Sequence, residues 1–339
     1  MMPAPSLSPA AGDGDDSDQA IQKVHDLWFD DGNLVIAASN CLYRVYRGSL
    51  ARYSSVFQDM LSFPQPPDAE LLEGCPVVKL PDPALDVTPF LKAIFDPGFF
   101  MPYPARTDFD TVIGCLRLSH KYEVQFIERR ALLHISSVFP TTLSDLDSIL
   151  DNESDSNALC PASWYFPDLN SRIRMVQIAS EVGIPWILPR AFYTLAAHYH
   201  TLGLALFHGA MYMGEDVHLS MQDQTTFMEG YNVLCKRAVT DGIGLLTALV
   251  CPRCTQKRLD AVDRSIRQYL PGECIGDTIY MYRWTDTDWA TLEVCPACQD
   301  ILPKTYQAAR QALWDDLPGI YNLPSWDVLE QLKAAALGK

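Results

Sequence analysis

Two short cysteine pairs constrain this chain more than any other feature: Cys251-Pro252-Arg253-Cys254 and Cys295-Pro296-Ala297-Cys298. In each, a two-residue spacer turns the backbone so that both thiolates can reach one ion, and four sulfurs suit a closed tetrahedral zinc site. If both pairs grip one metal, the stretch 255–294 has to fold by itself and return to its starting point. Its pattern allows this, since Leu259, Val262, Ile266 and Leu270 recur at helical spacing and Ile275 to Trp284 reads as a strand. Neither pair is followed by glycine, unlike common zinc-ribbon knuckles. Two other readings stay open. Thiol–disulfide exchange requires a pair at the start of a helix beside a strand-helix-strand unit, with Cys254 or Cys298 exposed and reactive, and the sequence gives neither knuckle that setting. Alternatively, the thiols are small buried apolar groups. Cys235 and Cys274 lack paired spacing and read as core.

Charge and the N-terminal sequence narrow the function classes. Twenty-six basic against 42 acidic residues leave a formal charge of -16, a field that repels nucleic-acid phosphates unless basic residues cluster on one face. The opening MMPAPSLSPAAGDGDDSDQA lacks the basic and apolar regions of a secretory signal, and no stretch reaches the roughly 18 uninterrupted apolar residues of a membrane span. The expectation is a soluble cytoplasmic or nuclear protein without membrane contact, whose ten cysteines are reduced or metal-bound. There is no Gly-x-Ser-x-Gly elbow, His-Glu-x-x-His helix or Walker glycine loop, so neither a catalytic residue nor a small-molecule substrate is expected. His198, His200, His208 and His218 lie among Ala, Leu and Phe and read as satisfied core or surface histidines.

Hydropathy patterning predicts an α+β chain. Residues 1–22 are acidic, proline-containing and too polar to order themselves, a disordered tail. Two apolar runs flank Asp30-Asp31-Gly32-Asn33 and suggest a β-hairpin. Leu42 to Tyr46 alternates like a strand, and Leu50, Tyr53, Phe57, Met60 and Leu61 follow at helical spacing. Val77 to Leu80 reads as a short strand, and Thr88-Pro89 as an N-cap with proline at the first helical position. Phe109 to Leu116, behind Thr107 or Asp108 as a cap, and Ile127 to Ile135 complete a first domain over 23–140. The stretch 141–170 has no basic residue and reads as an acidic linker. A mainly helical second domain, 171–339, holds the cysteine region 251–298, with helices over Ile173 to Val182 and Phe192 to Tyr199 separated at Gly183-Ile184-Pro185.

Tyr43-Arg44-Val45-Tyr46-Arg47-Gly48-Ser49-Leu50-Ala51-Arg52-Tyr53-Ser54-Ser55-Val56-Phe57 resembles the BTB/POZ segment usually written phi-x-(V/A)-H-(R/K)-x-x-L-(A/S)-x-x-S-x-x-F. Cys115-Leu116-Arg117-Leu118-Ser119-His120-Lys121-Tyr122 with Val124 is similar to the LxLAxKYxV helix end of that family's large fungal branch. Ile184 to Tyr193 resembles its downstream helical region, so the resemblance covers roughly residues 25 to 200. The usual buried histidine is Tyr46 here. The resemblance implies a small sheet capped by helices, and an adaptor that homodimerises or recruits a protein such as a cullin-type ubiquitin-ligase scaffold or a transcriptional corepressor.

On physical grounds the helix carrying Phe57, Met60, Leu61 and Phe63 could present an apolar anchor to a partner, although apolar residues at such spacing are more often core. An alternative function is a zinc-dependent DNA-binding regulator, for which Arg253, Lys257, Arg258, Arg264 and Arg267 supply local positive charge, opposed by Asp260, Asp263 and the net charge. A CxxC thiol oxidoreductase is the third reading.

Overall fold

The run Leu34-Val35-Ile36-Ala37-Ala38 is apolar on both alternating faces, the signature of a strand buried within a sheet. The computed structural model, which describes residues 21–63, 70–152, 167–247, 251–260 and 289–338, places this run centrally. Strands β1 (Gln22–Trp28), β2 (Leu34–Ala38), β3 (Cys41–Val45), β4 (Leu71–Leu72) and β5 (Cys75–Leu80) form one sheet in the order β1-β3-β2-β5-β4. β2 runs antiparallel to β3 and parallel to β5, with Ile36 opposite Tyr43 on one side and Val78 on the other. Contacts divide the chain into two compact units, Met1–Arg47 with Gln65–Ala84, which holds this sheet, and Gly48–Pro64 with Leu85–Lys339, which is mainly helical.

The hairpin forms one strand later than the sequence suggests. β1 pairs in parallel with β3, and the tight turn is Ser39-Asn40 between the paired residues Ala38 and Cys41. The physical reason lies in the Asp30 to Asn33 break. Phe29 N–H stays bonded to the Arg44 carbonyl (2.9 Å), while Gly32 O accepts from Arg44 Nε (2.9 Å) and from Cys75 Sγ (3.3 Å). These bonds pin the connection against β3 and the start of β5 instead of letting it reverse β1 onto β2. A Cβ on Gly32 would lie 2.9 Å from Arg44 Cγ, so the close approach needs glycine. Tyr46, in the slot of the expected histidine, is half-buried, stacks on Phe29 at 5.0 Å and donates its hydroxyl to Asp31 Oδ1 at 2.5 Å.

In the helical unit, α1 (Arg47–Tyr53) and α2 (Ser55–Ser62) are separated at Ser54, whose extended backbone and side-chain oxygen cap α2 by accepting the Phe57 N–H at 2.9 Å. α3 (Ala84–Phe95) starts four residues before the cap expected at Thr88, with the Ala84 N–H donating to Ser39 Oγ (3.2 Å), so Pro89 lies inside the helix. The proline gives up one backbone bond. Its ring occupies the surface over Gly114, where an added Cβ would meet Pro89 Cγ at 2.9 Å. α4 (Phe109–Lys121) is capped by Asp108, and α5 (Gln125–Val138) follows as its partner.

The stretch read as linker is partly helix. α6 (Leu143–Asn152) buries Leu143 and Leu146, and Asp147 takes a two-pronged bond from the buried Arg310 (2.6 and 3.1 Å). The Trp314 indole N–H donates to the Thr141 carbonyl at 3.2 Å. The acidic count that marked the segment as exposed therefore includes a carboxylate engaged by a cation that lies far off in sequence. α7 (Asn170–Val182), α8 (Leu188–Ala197), α9 (Tyr199–Leu202) and α10 (Ala205–His208) lead to a two-stranded hairpin, β6 (Ala210–Tyr212) with β7 (Glu215–Val217). Long α11 (Met221–Thr247), α12 (Pro296–Ile320) and α13 (Trp326–Leu337) complete the described elements. Residues 1–20 of the expected disordered tail, Cys274, and the expected helix positions Val262, Ile266 and Leu270 and expected strand Ile275 to Trp284 fall outside the described residues, while Gln22, assigned to the tail, begins β1. Among those described, no helix is long and apolar enough to cross a membrane.

Candidate functional site

Each cysteine pair opens a helix. Cys251 precedes the 3-10 turn Pro252–Cys254, with the Cys254 N–H on the Cys251 carbonyl (3.1 Å), and helix continues over 255–260. Cys295 is the extended N-cap residue of α12 and its carbonyl accepts from Gln299 N–H at 2.9 Å. Proline follows the first cysteine in both, a position where the missing N–H has no helical partner to lose. Helical side chains lean toward the N-terminus, so the second cysteine of each pair is aimed back at the first.

The structure brings all four sequence-expected ligands together: the Sγ atoms of Cys251, Cys254, Cys295 and Cys298 lie within 4.8 Å of one another. A tetrahedral ion at a zinc–sulfur distance of about 2.3 Å separates its ligand atoms by about 3.8 Å, so these sulfurs can close on one ion with small shifts. Cys254 and Cys298 are buried with Leu292, Val294 and Leu302, while Cys251 and Cys295 are half-buried at the margin with Trp289. Trp289 in turn sets its ring edge against Tyr306 at 5.4 Å. The two knuckles are also joined directly, the Cys295 N–H donating to Cys254 Sγ at 3.3 Å.

The electrostatics separate the two cysteines of the second knuckle. The Cys298 N–H, with further sulfur contacts, holds the Cys295 thiol below its ordinary value, whereas burial and the Cys295 and Cys254 sulfurs push Cys298 up. Cys295 also stands at the positive end of the α12 dipole. Arg258, buried, reaches the Cys251 carbonyl (3.4 Å) and Thr255 Oγ1 (3.3 Å), and Lys257 donates to the Glu293 carbonyl at 2.7 Å. A divalent ion with four thiolates carries excess negative charge, which such outer donors and cations offset. These two supporting residues went unrecognised in the sequence as part of the site. Their signal was basic charge three to four residues after a knuckle.

One expectation is corrected here. The second knuckle does start a helix, the setting thought missing for thiol exchange, because Cys295 caps α12. Among the described residues, however, no strand leads into it, and its sulfur is grouped with three others. No other cluster of three or more ligating side chains occurs among the described residues, so the histidines form no site; His198 Nδ1 is paired with the Thr194 carbonyl at 2.8 Å.

The four residues offered as a partner-binding face separate. Phe57 and Leu61 are core, Phe57 stacking on Tyr122 at 4.6 Å, so neither is available to a partner. Met60 is half-buried and Phe63, at 69% exposure, is free at the end of α2. The helical spacing that grouped them reports burial, and of the four only Phe63, just past the last turn of α2, is exposed.

Compared with protein-family models, with curated proteins and with solved structures, the chain gives no match.

Proposed function

We propose that this chain is a non-enzymatic adaptor of the BTB/POZ type, which homodimerises or recruits a protein partner and carries one structural zinc held by Cys251, Cys254, Cys295 and Cys298. The observation that supports the adaptor reading most is the meeting of the two segments that carry the resemblance. Ser54 donates its hydroxyl to the Tyr122 carbonyl at 2.5 Å, Ser55 bonds Glu123, and the Phe57 ring stacks on Tyr122, which also stacks on Phe90 at 5.9 Å. The serine, phenylalanine and tyrosine of the two motifs thus serve one another, which is what motif residues with a shared structural purpose do.

Four thiolates without a carboxylate make a closed tetrahedral set of the kind structural zinc takes, and bound zinc would tie the opening turn of α12 to residues 251–260. The test combines light scattering with elemental analysis on the full chain made without a metal-binding tag. The expected result is twice the chain mass and about one zinc per chain, with the metal lost in Cys251→Ser/Cys295→Ser. A chain that stays monomeric and captures no protein partner would overturn the adaptor reading, and metal-free protein with four freely alkylated thiols would overturn the zinc.

A further inference from the structure

Tyr53, at the end of α1, and Phe126, in the first turn of α5, are both exposed and meet edge to face with ring centroids 5.3 Å apart. Arg130, one turn further along α5, lies over the Phe126 ring at 5.6 Å and donates to the Phe100 carbonyl at 2.8 Å. That bond brings in the loop after Phe100. The Phe100 ring stacks on buried His134 at 5.3 Å, His134 Nε2 pairs with the Met101 carbonyl at 2.9 Å, and Tyr103 sets its edge on the same imidazole at 5.9 Å. With their backbone and ring edges held this way, Met101 and Tyr103 remain 48% and 43% exposed. Tyr53 and Phe126 thus touch directly, and the exposed Met101 and Tyr103 are joined to them through Arg130, the Phe100 carbonyl and the buried His134 ring.

The charge of this surface is opposite to that of the chain. Arg52, Arg129 and Arg130 form no ion pair among the described residues, although the sequence has 42 acidic groups. The same stretch carries two carboxylates against these three arginines, Glu123 accepting from Ser55 and Glu128 bonded to His120. Exposed Tyr, Phe, Met and Arg in one place is the composition of an interface centre, not of an ordinary surface. A two-fold contact between copies through this face would set each arginine group against itself, which disfavours self-association here.

We infer that this surface docks an acidic, aromatic-bearing peptide segment of another protein, whose carboxylates pair with Arg52 and Arg129 and whose ring packs on Tyr53 and Phe126. The inference rests on the adaptor reading only in that the occupant is a protein. The probe is a display library of random peptides selected on the full chain, and the selected peptides are then titrated against variants. The expected consensus has acidic residues flanking Trp, Phe or Leu. Affinity should fall at least about tenfold in Phe126→Ser and in Arg52→Glu/Arg129→Glu, stay unchanged in Phe63→Ser, and weaken with added salt. Circular dichroism separates loss of the surface from loss of the fold, and Arg52 and Arg129, which are exposed and have no ion pair among the described residues to lose, keep the test valid if Phe126→Ser unfolds. A consensus without acids, or binding indifferent to Arg52 and Arg129, would overturn the inference. So would a dimer that Phe126→Ser dissolves, which would make this face a contact between copies. Peptide binding by a chain that proves monomeric would separate this inference from the dimer form of the adaptor reading.

Discussion

Around Tyr122, the chain is held by volume: Phe57, Phe90, Leu116, Leu118 and Val124 are all fully buried, and the polar atoms among them are paired, Ser54 with both Phe57 N–H and the Tyr122 carbonyl. Around Cys298, the buried cluster among the described residues is Cys254, Leu292, Val294, Cys298 and Leu302, two of the five being thiols. At about 25 cal/mol per Å² such a cluster cannot offset the conformational entropy of two chain segments lying far apart in sequence. The first region has the means to order itself by packing. The second has a geometry that makes sense when an ion supplies the missing free energy, and small clusters of this kind commonly depend on metal.

The most severe test of that contrast removes the metal. Chelation, or Cys298→Ser, should abolish amide-exchange protection over 251–260 and 289–302, because structural zinc contributes on the order of 10 kcal/mol to small domains. Protection over α4 and α5 should be unchanged in the same sample. Equal loss in both regions would show that the knuckle is not a separate dependency, and no loss in either would show that apolar packing suffices at the knuckle too.

The converse change breaks the packed region. Phe57→Ala removes the ring stacked on Tyr122 and leaves a cavity, for a cost of about 3–5 kcal/mol in a chemical denaturation series. Zinc content should stay at one per chain. A smaller cost, below about 1 kcal/mol, would mean that the site collapses around the gap and that the motif residue is not a keystone of this core.

Ser54→Ala should have a smaller effect, about 1–2 kcal/mol, from losing the α2 cap and leaving the Tyr122 carbonyl with one partner fewer. Thr at this position keeps the oxygen and should recover most of the loss. If Ser54→Thr is no better than alanine, the hydroxyl bonds are not what links α2 to the end of α4.

How far these regions were legible in the sequence follows from the range of the forces that hold them. The α4 cap, offered as Thr107 or Asp108, and the two CxxC pairs are local patterns, and the structure selects Asp108 and brings the four cysteine sulfurs together. The hairpin misassignment and the early start of α3 depend on bonds from Arg44, Cys75 and Ser39, none of which is adjacent in sequence to the element it fixes. Asp147 looked like a solvated linker charge because its partner, Arg310, lies in α12. Phe57 and Leu61 were offered to a partner because helical spacing marks an apolar face without saying what covers it. Tyr53 is read into an apolar face by the same spacing yet is exposed, and Phe126 shows the reverse case: it precedes the apolar stripe starting at Ile127, and an off-stripe aromatic is visible only as an exception to a pattern.

The smallest expected effect distinguishes the two cysteines of one knuckle. In metal-stripped protein whose knuckle keeps its fold, the outcome in which apolar packing suffices there, the Cys295 thiol, held down to about 7 chiefly by the Cys298 N–H, ionises before that of Cys298, which is pushed up by burial and by its sulfur neighbours. Because the folded value of Cys295 lies below its unfolded value near 8.5, the stabilisation from its thiolate is present above that unfolded value and is lost as pH falls through about 7. Alkylation by iodoacetamide, read by mass spectrometry, should therefore rise at Cys295 as pH passes about 7 and lag at Cys298 to far higher pH. Metal should suppress both. Reversed order would mean that the α12 N-terminus does not hold Cys295 as described, and rapid exchange of Cys295 with a small disulfide in metal-loaded protein would favour the thiol-exchange chemistry that its helix-capping position permits.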